Sequence, residues 1–305
     1  MKELVVISGK GGTGKTSLVA SLAVLADNKV LADCDVDAAD LHLVLEPDIE
    51  STETFIGGKI ARIDPERCTG CGRCAELCRF DAIDVDQRNE NGTALTYRVD
   101  PISCDGCSVC VEFCPADAIE FNDCISGEWF VSTTRCGPMV HAKLGIAEAN
   151  SGKLVTMVRS RAREICEQRG FGLIIVDGPP GTGCPVIASV TGTDLAMVVT
   201  EPTTSGFHDL ERVAALANHF SIPISVCINK WDLNRDVSDE IEQWCKDNGV
   251  RVLGKLPYDR EFTHAQVAGK SLIDHNPSGK TADAVRHIWQ EIQRILDGEN
   301  QTEQP

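Results

Sequence analysis

Two short stretches of this chain carry side chains arranged for chemistry. "CTGCGRCAELC" places Cys68, Cys71, Cys74 and Cys78 at C-x2-C-x2-C-x3-C spacing, and "CDGCSVCVEFC" repeats the pattern with Cys104, Cys107, Cys110 and Cys114. Each cysteine recurs 36 positions later and the flanks "IDPERC" and "VDPISC" align, so residues 59–123 hold an internal duplication. Clustered thiolates are soft ligands, suited to an iron–sulfur cluster or to zinc, and two matched four-cysteine runs favour the cluster. Gly70, Gly72 and Gly106 let the backbone wrap closely and offer N–H groups to sulfur. Near the start, "GKGGTGKT" satisfies G-x4-G-K-[ST] from Gly9 to Thr16. In such a loop the backbone of Gly9, Lys10, Gly11, Gly12, Thr13 and Gly14 cradles phosphates, with Ser17 just behind. Lys15 reaches the β and γ groups, and Thr16 holds Mg2+.

These residues need elements to hold them. "KELVVIS" reads as a strand before the loop, "TSLVASLAVLA" as a helix after it, and "KVLADCD" as a second strand ending in acids. The rhythm stops at the cysteine duplication and resumes after about residue 124. "LVTMVRSRAREICEQRG" predicts a helix stopped by Gly170, and "FGLIIVDGPPGTG" a buried strand running into a loop. Strands then alternate with helices through "DLAMVVTEPTT", "DLERVAALANHF", "IPISVCINK", "DEIEQWCKDNG" and "RVLGKLP". "KTADAVRHIWQEIQRIL" predicts a last helix, and "DGENQTEQP" a frayed end. The expected fold is α/β, a mostly parallel sheet interrupted by a small α+β insert: 1–58 and 124–305 form the nucleotide-binding domain and 59–123 the insert.

Composition narrows the function classes. With 46 acidic and 29 basic residues the net charge is -17, which disfavours nucleic acid and anionic membrane as partners. No apolar run has the length of a membrane span, and "LVVI" lacks the flanks of a signal peptide, so a cytoplasmic protein is expected. In a reducing compartment the 15 cysteines read as ligands or core thiols rather than disulfides. Of those outside the runs, Cys166, Cys227 and Cys245 are expected in the core. His141, near Cys136, is the histidine to inspect as a ligand.

The cysteine spacing resembles bacterial two-cluster ferredoxins. That resemblance implies two 4Fe-4S clusters with crossed fourth ligands: Cys68, Cys71, Cys74 and Cys114 for one, Cys104, Cys107, Cys110 and Cys78 for the other. The first run departs from the ferredoxin pattern in having Arg79 where the second has Pro115. A cation there could raise the potential of the cluster bound by Cys78, or simply pair with an acid such as Asp81. The extra Lys10 makes the phosphate loop a deviant form, and the whole chain resembles the MinD/Mrp branch of P-loop ATPases, most closely MinD-type ATPases with an inserted ferredoxin domain.

That resemblance implies an ATPase that hydrolyses ATP with Mg2+ as a homodimer, or as a heterodimer with a paralogue. Asp35 in "DCDVDAAD" would orient the attacking water, Asp177 in "IIVDGPPGTG" would hold magnesium through a water, and Lys10 would reach the partner subunit's nucleotide. Asn229, Lys230 and Asp232 in "INKWD" resemble a guanine-gripping motif. The same asparagine contacts adenine in the MinD branch, where Pro257 opens a second base-side loop, so ATP is favoured and GTP stays open. Cys184, seven residues beyond Asp177, matches a cluster ligand of the nitrogenase iron protein. With Cys136 it would make a third metal site at a dimer interface, the alternative being two unligated thiols. The expected function couples hydrolysis to electron transfer or metal-cluster assembly and transfer with a redox or cluster-accepting partner protein. MinD- or ParA-like spatial positioning and a cluster scaffold with little turnover are the alternatives.

Overall fold

The computed structural model describes residues 1–92, 94–145 and 151–298. In chain order the elements begin with β1 (Lys2–Ser8), α1 (Lys15–Leu25), β2 (Lys29–Asp33), α2 (Leu41–Leu45) and β3 (Asp48–Ile63). The cysteine region supplies α3 (Arg73–Leu77), β4 (Ile83–Arg88), β5 (Ala94–Val99) and α4 (Val109–Glu112). There follow β6 (Ile119–Thr134), β7 (Gly137–Leu144), α5 (Ser151–Arg169), β8 (Leu173–Pro180), α6 (Cys184–Val190) and β9 (Leu195–Thr200). The chain continues through α7 (Thr204–His219), β10 (Ile224–Asn229), α8 (Arg235–Asp247), β11 (Arg251–Leu256), α9 (Glu261–Val267), α10 (Leu272–His275) and α11 (Lys280–Leu296). The end of the expected frayed tail, residues 299–305, lies outside the described residues.

Two compact units emerge. The larger comprises Met1–Glu53, Trp129–Lys143 and the chain from Ser151 onward; the smaller comprises Thr54–Glu128 with the short stretch from Leu144. The division therefore falls at 54 and 128 where the sequence suggested 59 and 123, because β3 and β6, each 16 residues long, continue through it.

In the sheet the strands run β11-β10-β9-β1-β8-β2-β7-β6-β3. Every pairing from β11 to β7 is parallel. β1 lies between β8 and β9 and Leu4 to Ile7 are fully buried, as expected for a strand covered on both faces. The α1 residues Leu18, Val19, Leu22 and Ala23 join Val285, Ile288 and Ile292 of α11 in the main apolar core. Gly170, at φ 71, stops α5 as its sequence suggested. The β6–β7 edge is different. Only Arg135 and Cys136 join these neighbours, too few for a crossover, so this edge is antiparallel. Among the described residues no helix is long and apolar enough to cross a membrane.

The small unit displays its duplication in the backbone. Gly70 and Gly106 share φ 67, and Asp81 and Asp117 have φ 49 and 50. Gly72 and Ser108, both left-handed, precede α3 and α4. Its core is thin: Ala61, Ile63, Ile83 and Ile119 are buried, and six cysteines of the two runs pack against them.

Candidate functional site

The phosphate loop sits where parallel strands end, the usual place for ligands in such sheets. It leaves β1 and enters α1 through Gly14, at φ 88, and no side chain caps the helix. The first N–H groups of α1 thus face the loop, a ready anion site. Two contacts fix the loop from behind. Asn229 Nδ2 at the end of β10 donates to Thr13 O at 2.7 Å, and a Cβ on Gly14 would stand 2.5 Å from that nitrogen. A side chain on Gly9 would collide with Asp209 on α7.

Lys15 is 6% exposed and donates to Asp177 Oδ1 at 2.5 Å, with Asp35 Oδ2 at 3.4 Å. Burial works against its ammonium, but Asp177 and Asp35 outweigh that and push its pKa up. Asp177 is fully buried within β8, and its Oδ2 has no hydrogen-bond partner among the described residues; Thr13 Oγ1 is likewise buried and unpaired. A buried carboxylate oxygen without a donor suits a cation or its bound water. Thr16 Oγ1 lies 3.4 Å from Lys15 Nζ.

Sequence reasoning missed Asp33. It is fully buried at the end of β2 and accepts from the N–H groups of Asp35 and Leu41, so it shapes the loop that carries Asp35. Burial, then the charge of Asp177, hold its carboxyl well above the usual range; burial also raises Asp35. Its place at a strand end, two residues before Asp35 in "ADCDVD", was the available signal.

Beside the loop lies a cavity of about 200 Å³ lined by Gly12, Gly14, Ser17, Asn229, Lys230 and Pro257, with Tyr258, Phe262, Thr263 and Gln266 among the other walls. Asp232 is not part of that lining. Its Oδ1 instead accepts from the Tyr258 N–H at 2.6 Å, fixing the loop after Pro257. Asn229 is held by Thr13 O and the Lys230 N–H, and Asp232 holds the Tyr258 N–H, so "INKWD" ties the base-side loops to the phosphate loop.

Lys10 points to its own subunit. Its Nζ lies 2.5 Å from Glu201 Oε1 and donates to Thr203 Oγ1 at 3.2 Å and Ser205 Oγ at 3.1 Å. Lys230 Nζ donates to the same Glu201 and to Gly12 O. Glu201, which no motif singled out, follows β9 in "VTEPTT".

In the small unit the cysteines gather into two groups. Cys68, Cys71, Cys74 and Cys114 line one cavity with Thr69 and Tyr97. Cys78, Cys104, Cys107 and Cys110 line another with Phe80 and Phe121. The exchange of fourth cysteines has a backbone cause. Asp64 N–H donates to Ala118 O and Asp100 N–H to Ala82 O, both at 2.8 Å, so each run begins beside the end of the other. Cys68 N–H then bonds Asp64 O, and Cys104 N–H bonds Asp100 O. Burial pushes Cys74 up to about 11 and raises Cys110, so an ionised ligand set there needs a cation to sustain it. Among the described residues no three His, Cys, Asp or Glu side chains converge as ligands of one metal ion. Four thiols per group make a soft donor set of the kind that an iron–sulfur cluster or zinc takes.

The pairing of Cys136 with Cys184 must be corrected. Cys136 precedes β7, which pairs in parallel with β2, and it lies by Lys29 at the start of that strand. Cys184 is exposed and opens α6, beyond the other end of β8. The length of the parallel strands separates them, about 3.3 Å per residue over β2, so they form no common site within one chain. His141 also is no ligand partner of Cys136. It lies level with Asp33, its Nε2 is 2.9 Å from Ser132 Oγ, and burial lowers its pKa to about 4. Cys166, Cys227 and Cys245 are buried core thiols as expected.

Residues 4–273 match the family model for the CobQ/CobB/MinD/ParA nucleotide binding domain. The uncharacterized protein MJ0578 of Methanocaldococcus jannaschii is 30% identical over 300 residues, spanning 96% of this chain and 97% of that protein. The iron-sulfur cluster carrier protein of Aquifex aeolicus is 22% identical over 136 residues, only 41% of this chain and 37% of the carrier. Among solved structures, the septum site-determining protein MinD complexed with Mg-ADP from Pyrococcus horikoshii superposes with a TM-score of 0.57 at 17% identity, covering 99% of each chain, a likeness of fold.

Proposed function

We propose, from the premise that the chain belongs to the CobQ/CobB/MinD/ParA nucleotide-binding family, that it is a magnesium-dependent ATPase acting as a dimer and carrying two 4Fe-4S clusters in a ferredoxin-like insert. The family supports nucleotide binding. The clusters rest on one observation: two cavities, each lined by three cysteines of one run and the fourth of the other. Cys68, Cys71, Cys74 and Cys114 would hold one cluster, and Cys104, Cys107, Cys110 and Cys78 the other. Bound clusters would supply one-electron chemistry at low potential.

On the nucleotide side the chain's own groups divide the work. Amides of Gly11 to Thr16 bind phosphate oxygens, and Lys15 transfers its ammonium from Asp177 and Asp35 to the β and γ groups. Asp177, freed of Lys15, faces the magnesium side together with Thr16. Asp35, also freed, orients a water for in-line attack on the γ-phosphorus, which breaks that atom's bond to the β–γ bridging oxygen. Lys10 neutralises charge on the partner subunit's phosphates. Adenine is favoured over guanine on the family match, with Asn229, Lys230 and Pro257 lining the cavity beside the phosphate loop. Since Asp35 and Asp177 answer to the γ-phosphate, the nucleotide would control when the clusters pass electrons or metal to a partner protein.

The second reading is ATP-dependent spatial positioning. The likeness to MinD favours it over electron transfer, on which the comparisons are silent. Anaerobic purification followed by iron, sulfide and electron paramagnetic resonance measurements, with and without MgATP, separates the two. The proposal expects about eight irons per chain, and cluster signals or electron release that change with nucleotide. Intact clusters indifferent to nucleotide, in a protein that hydrolyses ATP, would support positioning. Zinc or no metal in the freshly isolated protein overturns the cluster assignment.

A further inference from the structure

We infer that Glu201 is a positioning residue that parks Lys10 in its own subunit and so sets how readily this lysine is released to a phosphate. The inference rests on the proposed nucleotide reading and concerns the regulation of that site. An ammonium has three N–H donors and no acceptor. Lys10 finds three acceptors around it: Glu201 Oε1, Thr203 Oγ1 and Ser205 Oγ. Its donors are therefore saturated within one protomer, by the loop after β9 and the first turn of α7. A surface lysine with an incidental contact does not meet a matched cradle of this kind.

The cradle is built rather than passive. Thr203 is the N-cap of α7 and its Oγ1 accepts from Gly206 N–H at 3.0 Å, which fixes the oxygen that faces Lys10. Glu201, with a side chain 15% exposed, supplies the charge, and Lys230 holds it from the other side at 3.1 Å. Lys230 also donates to Gly12 O, so the carboxylate joins both lysines to the phosphate loop. Burial would raise the pKa of Glu201, but hydrogen bonds from Lys10 and Lys230 hold it below the ordinary range, so the acid is ionised at neutral pH.

For Lys10 to serve a phosphate it must leave this cradle, since all three donors are spent. A nucleoside triphosphate presented by a second copy carries more charge than one carboxylate and can compete for it. Glu201 therefore opposes turnover until such a phosphate is near.

The test uses the full chain. ATP hydrolysis and ATP-dependent dimerisation are measured for the parent, Glu201→Gln, Lys10→Ala and Lys10→Ala/Glu201→Gln, alongside fluorescent ATP binding. Glu201→Gln is expected to raise turnover, or the dimer fraction at limiting protein, about fivefold or more, in the range of ordinary coupling between sites. ATP affinity stays near the parent's, and the gain vanishes in the double variant because it acts through Lys10. Glu201→Asp, which keeps the charge, stays near the parent. Unchanged or lower turnover in a Glu201→Gln protein that binds ATP overturns the inference, as does a gain that survives loss of Lys10. A parent that binds no nucleotide would instead overturn the proposed function itself.

Discussion

Lys15 is the buried cation that two acids of the nucleotide site share. Its ammonium neutralises Asp177 and Asp35, and Asp33 adds further negative potential. Lys15→Ala should weaken ATP binding about 10- to 100-fold, the worth of a charged hydrogen bond. It should also lower stability without nucleotide by about 3–5 kcal/mol, because a buried carboxylate loses its partner. Equilibrium binding and urea unfolding measure the two effects. Asp33 predicts a pH dependence. Its native carboxyl keeps a proton to higher pH than the unfolded one, whose ordinary value is 3.8, so its contribution to stability falls as pH rises from there through the native value. Asp33→Asn should flatten that fall in unfolding curves taken at stepped pH; an unchanged slope would show that this charge is not responsible. At this scale the sequence revealed Lys15, Asp35 and Asp177, because a loop motif and strand ends announce them. Asp33 and Glu201 were hidden, since one acid among several in "DCDVDAAD" becomes special only through burial.

Elements tell a similar story for a different reason. β1 and β8 were legible as short apolar runs ending in glycine-rich loops, α1 as the apolar helix behind the phosphate loop, and α7 and α11 as amphipathic helices. The β6–β7 edge was not: "FNDCISGEWFVSTT" alternates weakly, and its role depends on pairing with residues far away. The parallel β2–β7 register, which no local pattern discloses, puts Cys136 at the strand end opposite Cys184. The cysteine groups test element order directly. Asp64–Ala118 and Asp100–Ala82 bonds bring Cys114 to the first run and Cys78 to the second. Cys114→Ser should therefore perturb the electron paramagnetic resonance signal of the cluster held by Cys68, Cys71 and Cys74, leaving the other near the parent. Perturbation confined to the other cluster would refute the crossed assignment.

The whole molecule joins two units of unequal self-sufficiency. The larger has an extensive core of buried aliphatics from β1, α1, β9 and α11, which requires no cofactor for its burial. The smaller has an apolar cluster of only four buried aliphatic side chains, and six cysteines pack against it. A core this small rarely stabilises a unit without a staple, and cluster binding supplies one through ligation. Oxidative removal of iron with a chelator should therefore make residues 54–128 sensitive to limited proteolysis while ATP affinity changes less than about twofold, since the nucleotide groups belong to the larger unit. Mass spectrometry of the fragments and parallel nucleotide titrations read both halves of this expectation. Cleavage confined to 54–128 would show that the clusters fold the insert as well as supply its chemistry. Resistance of that segment in fully stripped protein would mean that the thin core suffices, and simultaneous loss of ATP binding would mean that the two units do not fold independently.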